Sequence, residues 1–505
     1  MGSEISKSIC KAPDSFPLFT LRYHQSSGVF STLHAPEKVV DALERQVTRA
    51  WPGSDKSEPH PTVTAFKLKL PSTIEAKDLW NDPTAIVAYC RIFEQFNKLG
   101  YRLLMAPDLF LTLEDPELMF YKDLSAQPYK GQVFALRITD VDLLLLINAS
   151  SDVVDLVSSA IGDCRKLSKT ESLTNATRFR IEGKPWSQTT IDQQYSVQQK
   201  SIAANIIIQL FTKLANAGYK HIGNVCLDGD QDTMFFTKGD VPLGPSDFGV
   251  ILLTNTNGMS CFGMPSNIHD EIRDCLKQDW KAGLRSEMKH KQNIVEYKLV
   301  GDPWISSASR ENPNAARHLL MSLLGRLEAN GWLLECAVDL SSAIDDKSTF
   351  VFRNGHPRTS RMVTVQPIGS NQLWLVNADS ELTKTIDKVL NNVLGRKGVD
   401  SRSDNDDGSH AYEIHGKPWF PEASEDTLLA RHAIAVTVAT MLQRGWTVVG
   451  AVDIQVKEKR VIGMAGTMTV QGTRTRVKRE KVMNTKTTRS EYDVSTILLR
   501  KDLDE

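Results

Sequence analysis

The chain has 505 residues, 41% of them hydrophobic and 24% charged, as in an ordinary globular protein. That length predicts three to five domains, and a net charge of −1 gives no global pull toward nucleic acid or membrane. Seven cysteines stand scattered at 10, 90, 164, 226, 261, 275 and 336 with no CxxC pair, which argues for a reducing compartment and against a disulfide or zinc framework.

Residues 1–15 read as a flexible leader without the apolar core of a secretory signal. Met1-Gly2-Ser3-Glu4-Ile5-Ser6 fits the myristoylation pattern, with glycine at 2 and serine at 6. Cys10 stands close enough to accept a second, reversible acyl chain. The competing explanation is a chance match or a cloning product, since Gly-Ser often follows an added methionine.

Phe16–Tyr23 and Val29–Leu33 read as strands, and Pro36 opens a helix with Val40, Leu43 and Val47 on one face. A strand begins at Phe66, Gly100 sits where a left-handed helix cap belongs, and Tyr101 opens a run that ends near Asp108. The succession then returns. Val133–Thr139 and Leu143–Ile147 precede a helix from about Ser151 to Cys164, and Phe179, Gly183-Lys184-Pro185-Trp186 and Gly218-Tyr219 follow. Leu143–Ile147 is also one of the longest apolar runs, far too short to cross a bilayer.

Phe248–Thr254 and Met259–Met264 flank a Thr256-Asn257-Gly258 turn, and a helix runs to Trp280. After Tyr297 and Gly301-Asp302-Pro303-Trp304, Leu320, Leu323, Leu324 and Leu327 mark one helix face before Gly331-Trp332 and Asp339. Met362–Gln366 and Leu373–Val376 precede a helix capped by Asp379. Residues 398–409, with Asp404, Asp406 and Asp407, read as an exposed acidic loop. Tyr412–Trp419, a helix face of Ile434, Val438 and Leu442, and Gly445-Trp446 through Asp453 complete the last copy.

Two landmarks measure the period. Glycine–aromatic pairs begin at 100, 218, 331 and 445, spaced by 118, 113 and 114. Strand starts at 66, 179, 297 and 412 are spaced by 113, 118 and 115. A period near 115 is a small domain, too long for a solenoid repeat of about 20–50 residues. The expected fold is α+β: four tandem two-layer β-β-α-β-α-β-β sandwiches with both helices on one face of a mainly antiparallel sheet. Turn-rich stretches place the modules at 16–126, 127–241, 242–356 and 357–466, followed by a basic C-terminal tail at 467–505. Another phase leaves half-domains at both ends for a closed ring to join, which is less economical.

Trp186, Trp304 and Trp419 close a Gly-x-Pro-Trp turn that the first module lacks. They read as plugs of the core edge or, as the functional alternative, a row of pockets for a peptide or lipid. Asp108, Asp339 and Asp453 each lie seven residues after the aromatic of their pair, with Cys226 in the second module, and read as strand ends bonding a turn. Arg317-His318 and Arg431-His432 recur on helices, where Ile86-Val87 and Ala204-Asn205 stand in the first two modules, and read as structural or solvent-facing. Asp228 to Asp232 resembles the start of a calcium loop, but Thr233 and Gly239 occupy the positions that need glycine and glutamate. No P-loop, dinucleotide fingerprint, nucleophile elbow or HExxH segment occurs, so no cofactor is expected.

Arg474, Arg476, Lys478, Arg479, Lys481, Lys486 and Arg489 stand against Glu480, a local charge of +6. They read as a solvated tail or as a surface for anionic lipid or a nucleic-acid backbone. The first expectation is a non-enzymatic cytosolic adaptor or scaffold with protein partners, held at an anionic membrane by an N-terminal acyl chain and this patch. A lipid- or small-ligand-binding protein using the space between helices and sheet comes second. An enzyme with a site at a module junction comes third.

Overall fold

The computed structural model describes residues 17–109, 116–123, 127–129, 131–186, 197–227, 232–239, 247–254, 256–304, 314–340, 347–394, 398–419, 424–454 and 495–503. Module 1 comprises β1 (Leu18–His24), β2 (Val29–Leu33), α1 (Glu37–Ala50), β3 (Asp55–His60), β4 (Val63–Lys67), a 3-10 helix (Ala76–Asn81), α2 (Pro83–Lys98), β5 (Tyr101–Met105) and β6 (Glu117–Lys122). Module 2 comprises β7 (Phe134–Thr139), β8 (Leu143–Ile147), α3 (Ser151–Cys164), β9 (Leu167–Leu173), β10 (Ala176–Ile181), α4 (Val197–Asn216), β11 (Tyr219–Cys226) and β12 (Asp232–Lys238). Module 3 comprises β13 (Phe248–Thr254), β14 (Gly258–Phe262), α5 (Ser266–Gln278), β15 (Leu284–His290), β16 (Ile294–Leu299), α6 (Ala315–Ala329), β17 (Trp332–Val338) and β18 (Thr349–Asn354). Module 4 comprises β19 (Ser360–Ile368), β20 (Gln372–Val376), α7 (Ser380–Leu394), β21 (Val399–Asp404), β22 (Ser409–Ile414), α8 (Ser424–Gln443), β23 (Thr447–Val452) and β24 (Thr496–Asp502).

All four sheets share one strand order, β3-β4-β2-β1-β6-β5 in the first, and their pairings are antiparallel. The α+β module expected from the period is therefore present four times. Each sheet holds one strand more than the expected pattern. β3, β9, β15 and β21 are the outer edges, and their side chains are almost all exposed. A strand wet on both faces carries no apolar alternation, so it looks like a loop in sequence. Residues 398–409 correct the acidic-loop expectation in this way: β21 and β22 pair as a hairpin there, Val399 opposite Ile414.

The fourth module also extends beyond its expected end at 466. β24 pairs with β19, Val365 opposite Ile497, and with β23, Val452 opposite Thr496. Thr496–Asp502 is thus a central strand of that sheet and not part of a tail beginning at 467. Forty residues separate Ile454 from Ser495 in the sequence, so a fixed period ends too early.

The modules close into a ring. In each, the two helices pack together over their own sheet, and the second helix also reaches the opposite face of the next sheet. α2 lies on β7 and β8, α4 on β13 and β14, α6 on β19, and α8 returns to β1. The inner edge strands meet in turn, β5 with β11, β11 with β17, β17 with β23, and β23 with β5. Whole modules close this ring; no sheet is assembled from two half-domains.

Each apolar cluster accordingly spans a joint. Phe235, Val225 and Leu145 of module 2 join the core of module 1, and Leu18, Met105, Leu109 and Met119 of module 1 join Trp419, Ile434 and Leu499 of module 4. Every inner strand carries a register shift, at Leu103/Met105, His221/Gly223, Leu334/Cys336 and Val448/Gly450. Such bulges keep an edge from pairing with its neighbour. Gly223 is needed at this contact: its φ is +148°, and a Cβ there would lie 2.6 Å from Leu103 Cδ2.

Register also assigns loops to the two rims. Arg22 faces Glu117, whose N–H donates to Pro107, and Val29 faces Lys67. The β1–β2 turn, the chain after β4 and the β5–β6 connection therefore share one rim. Lys122 N–H donates to Pro17 O, so the chain enters and leaves the module at the other rim.

Candidate functional site

The residues that recur between modules build joints. Ser348 N–H donates to Asp453 O at 2.8 Å, and Asp453 N–H returns a bond to Ser348 Oγ at 2.9 Å. The joint between modules 2 and 3 uses Asp232 N–H to Asp339 O at 3.1 Å and Asp339 N–H to Asp232 Oδ2 at 2.8 Å. Between modules 4 and 1, Ser495 N–H donates to Asp108 O at 3.0 Å and Asp108 N–H to Ser495 Oγ at 2.9 Å. The aspartates end strands, as their spacing predicts, but they bond the neighbouring module and not only a local turn.

The joint between modules 4 and 1 holds the most polar cluster. Arg431 of α8 is 4% exposed and Glu117 of β6 is 0% exposed. Arg431 Nε donates to Glu117 Oε1 at 2.7 Å, Nη1 to Ser31 Oγ at 3.1 Å and Nη2 to Thr20 Oγ1 at 3.1 Å. A guanidinium buried this deeply is tolerated only because its donors find acceptors in the fixed fork geometry. Beside it, His34 Nε2 and His432 Nδ1 meet at 2.6 Å. Burial, then His432 and Arg431, lower the His34 pKa to about 3. Burial, then His60, lowers that of His432 to about 4. His24, bonded to Ser31 Oγ, is lowered to about 3 by burial, Arg22 and Arg431.

The sequence signal for this cluster was a cation on an apolar stripe. Arg431 shares its helix face with Ile434, Val438 and Leu442, so a solvent-facing side chain was the wrong option. Arg317, its counterpart in module 3, is 2% exposed as well. Glu117 had no signal, standing 314 residues from its partner.

The tryptophans lie inside. Trp186 and Trp304 are 2% exposed and Trp419 is 0% exposed. Trp304 Nε1 donates to Gly258 O and Trp419 Nε1 to Gln372 O, both at 2.8 Å. The three indoles lie where core-edge plugs were expected, and Trp304 lines the space between helices and sheet of module 3. Gly2 and Cys10 lie outside the described residues, as do Arg474, Arg476, Lys478, Arg479, Lys481, Lys486 and Arg489.

Two cavities bear on ligand binding. One of about 360 Å³ lies at the joint of modules 1 and 2, lined by Arg91, Glu94, Lys98, Tyr129, Gln132 and Asn148. Glu94 there accepts from Val133 N–H at 2.8 Å, and Asn148 donates to Val133 O at 2.7 Å. The other lies between helices and sheet of module 3 and holds about 10 Å³, room for at most one water. Among the described residues no three His, Cys, Asp or Glu side chains form a metal cluster, and no helix is long and apolar enough to cross a membrane.

A protein-family model for a single domain matches the chain three times, over residues 132–237, 247–353 and 361–470. These matches fall on modules 2, 3 and 4, and module 1 repeats their strand order outside the matched residues. No curated protein and no solved structure matches the chain.

Proposed function

The chain belongs to the family of that repeated domain, and from this premise we propose that it is a non-enzymatic scaffold. Its ring of modules presents one loop-bearing rim to protein partners. The carrying observation is the contrast between joints and rim. The Asp–Ser and Asp–Asp joints consume the recurrent residues, while the β5–β6 connections on one rim differ in length. They run from Met105 to Glu117, Cys226 to Asp232, Val338 to Thr349 and Val452 to Thr496. Connections that vary on a fixed platform are where binding specificity concentrates.

The reading includes peripheral attachment to an anionic membrane. Gly2 would carry a myristoyl chain, Cys10 a second acyl chain, and the +6 segment at 474–489 would face the lipid. Pro17 stands at one rim and Ile454 and Ser495 at the other, about 20 Å away, the length of β1 at roughly 3.3 Å per residue. Sixteen residues precede Pro17 and span at most about 55 Å when extended, so both signals can reach one bilayer.

Replacing 455–494 by a connection as short as that of module 2 tests both parts. The ring should stay folded, and binding to phosphatidylserine vesicles should fall most at low salt, where charges are least screened. Gly2→Ala and Cys10→Ser should each release protein to the soluble fraction. Wild-type protein that carries no acyl mass and ignores anionic vesicles removes the membrane part. A shortened chain that keeps every protein partner removes the rim part.

A further inference from the structure

We propose that the joint between modules 4 and 1 is an acid-opened clasp: protonation of His34 and His432 breaks their shared bond and parts module 1 from module 4 while the other joints hold. The connectivity singles this joint out. Modules 1 and 2, 2 and 3, and 3 and 4 are joined by the chain itself, whereas module 4 reaches module 1 through side-chain and backbone contacts alone.

His34 occupies an unusual backbone position. It has φ +59°, and Asn148 (+58°), Gly263 (+71°) and Asn377 (+65°) stand at the same point after the second strand of the other modules. Glycine and asparagine suit the left-handed region. Asn148 and Asn377 turn their amides back onto Val133 O and Met362 O of their own modules, each at 2.7 Å. Module 1 places an imidazole at this turn and aims it across the joint at His432.

The groups around the pair oppose an added charge. Arg431, on α8 next to His432, and His60, at the end of β3, act on the pair, while Arg22 on β1 acts with Arg431 on the neighbouring His24. The carboxylate of the cluster, Glu117 on β6, holds Arg431. In the neutral pair one ring donates and the other accepts. A first proton places a cation beside Arg431. A second leaves two N–H groups facing each other with no acceptor between them.

The direction with pH follows. Both rings are held near 3 and 4 in the closed joint and return toward about 6.5 when exposed to water. The closed form therefore binds fewer protons. Closure is at full strength above about 6.5 and weakens as pH falls toward 4, by up to about tenfold per unit for each histidine. The other joints carry less of this linkage: Asp407 stands beside His318 at the joint of modules 3 and 4 and works against the lowering by burial, and on β11 burial lowers one ring, His221, to about 4, where modules 4 and 1 set two rings against each other.

Amide exchange of the full-length protein between pH 7.5 and 5, corrected for intrinsic rates, reads the joints separately. The amides of Asp108 and Ser495, which bond across this joint, should lose at least tenfold protection while Ser348, Asp453, Asp232 and Asp339 keep theirs, and the scattering radius should grow. The His34→Asn/His432→Asn variant, which keeps a left-handed former at 34, should lose most of this response, since His24 is left to take up a proton in the cluster. Loss of protection at all joints together, an unchanged response in the variant, or a midpoint moved by zinc or by a chelator overturns the proposal. If the variant fails to fold, the comparison of joints in the wild-type chain decides by itself.

Discussion

Asp108 and Ser495, 387 residues apart, exchange two hydrogen bonds: backbone N–H to backbone O at 3.0 Å and backbone N–H to side-chain Oγ at 2.9 Å. Asp453 and Ser348 make the same exchange where the chain is continuous. The non-covalent joint thus copies a covalently tethered one, down to the residue types. The same exchange recurs between modules 2 and 3, where Asp232 takes the place of the serine.

A circular permutant follows from this equivalence. Pro17 O accepts from Lys122 N–H and Leu503 N–H donates to Thr359 O, so both described ends of the chain stand on the entry rim. A linker of roughly ten residues from 503 to 17, as between modules 1 and 2, should tether the open joint, and new termini near 125 should release another. The permutant should fold to the same ring. Its melting temperature should stay within a few degrees of the parent, checked by calorimetry, and acid should then release the joint of modules 4 and 1 less readily than in the parent.

Glu117→Ala strands the Arg431 guanidinium in a dry joint. Breaking one side of such a pair costs about 3–5 kcal/mol, largely because the remaining charge is buried without a partner. Glu117→Leu/Arg431→Met should recover much of that loss, since apolar side chains of similar volume avoid the desolvation cost. Urea denaturation of the single and double variants measures both, and a double variant no better than the sum of the singles would show that the pair is not coupled.

The repeat was legible because its landmarks are local. Gly100, Gly218, Gly331 and Gly445 all have φ between +80° and +85°, the left-handed cap that their place after a helix face implies. Asp379 caps its helix through Leu382 N–H at 2.7 Å, as read. What escaped was either featureless or distant. The wet outer strands such as Asp55–His60 bury nothing that would impose a period. β24 was missed because the chain between Ile454 and Ser495 breaks the spacing. The closing joint was hidden because Arg431 and Glu117 each look ordinary until the ring brings them to 2.7 Å.

The tryptophans separate volume from hydrogen bonding. Trp304→Ala should cost about 3–5 kcal/mol, the penalty for a large cavity in a closed core. The finer test uses phenylalanine, which keeps most of the ring. Trp419 Nε1 satisfies Gln372 O at 2.8 Å, whereas Trp186 Nε1 has no acceptor among the described residues. Trp419→Phe leaves a buried carbonyl unpaired, a cost of roughly 1–3 kcal/mol. Trp186→Phe removes an N–H that has no acceptor among the described residues, so it should cost less than Trp419→Phe by about 1 kcal/mol or more. Denaturant midpoints of the two variants decide it, and a Trp186→Phe more damaging than Trp419→Phe overturns this ordering.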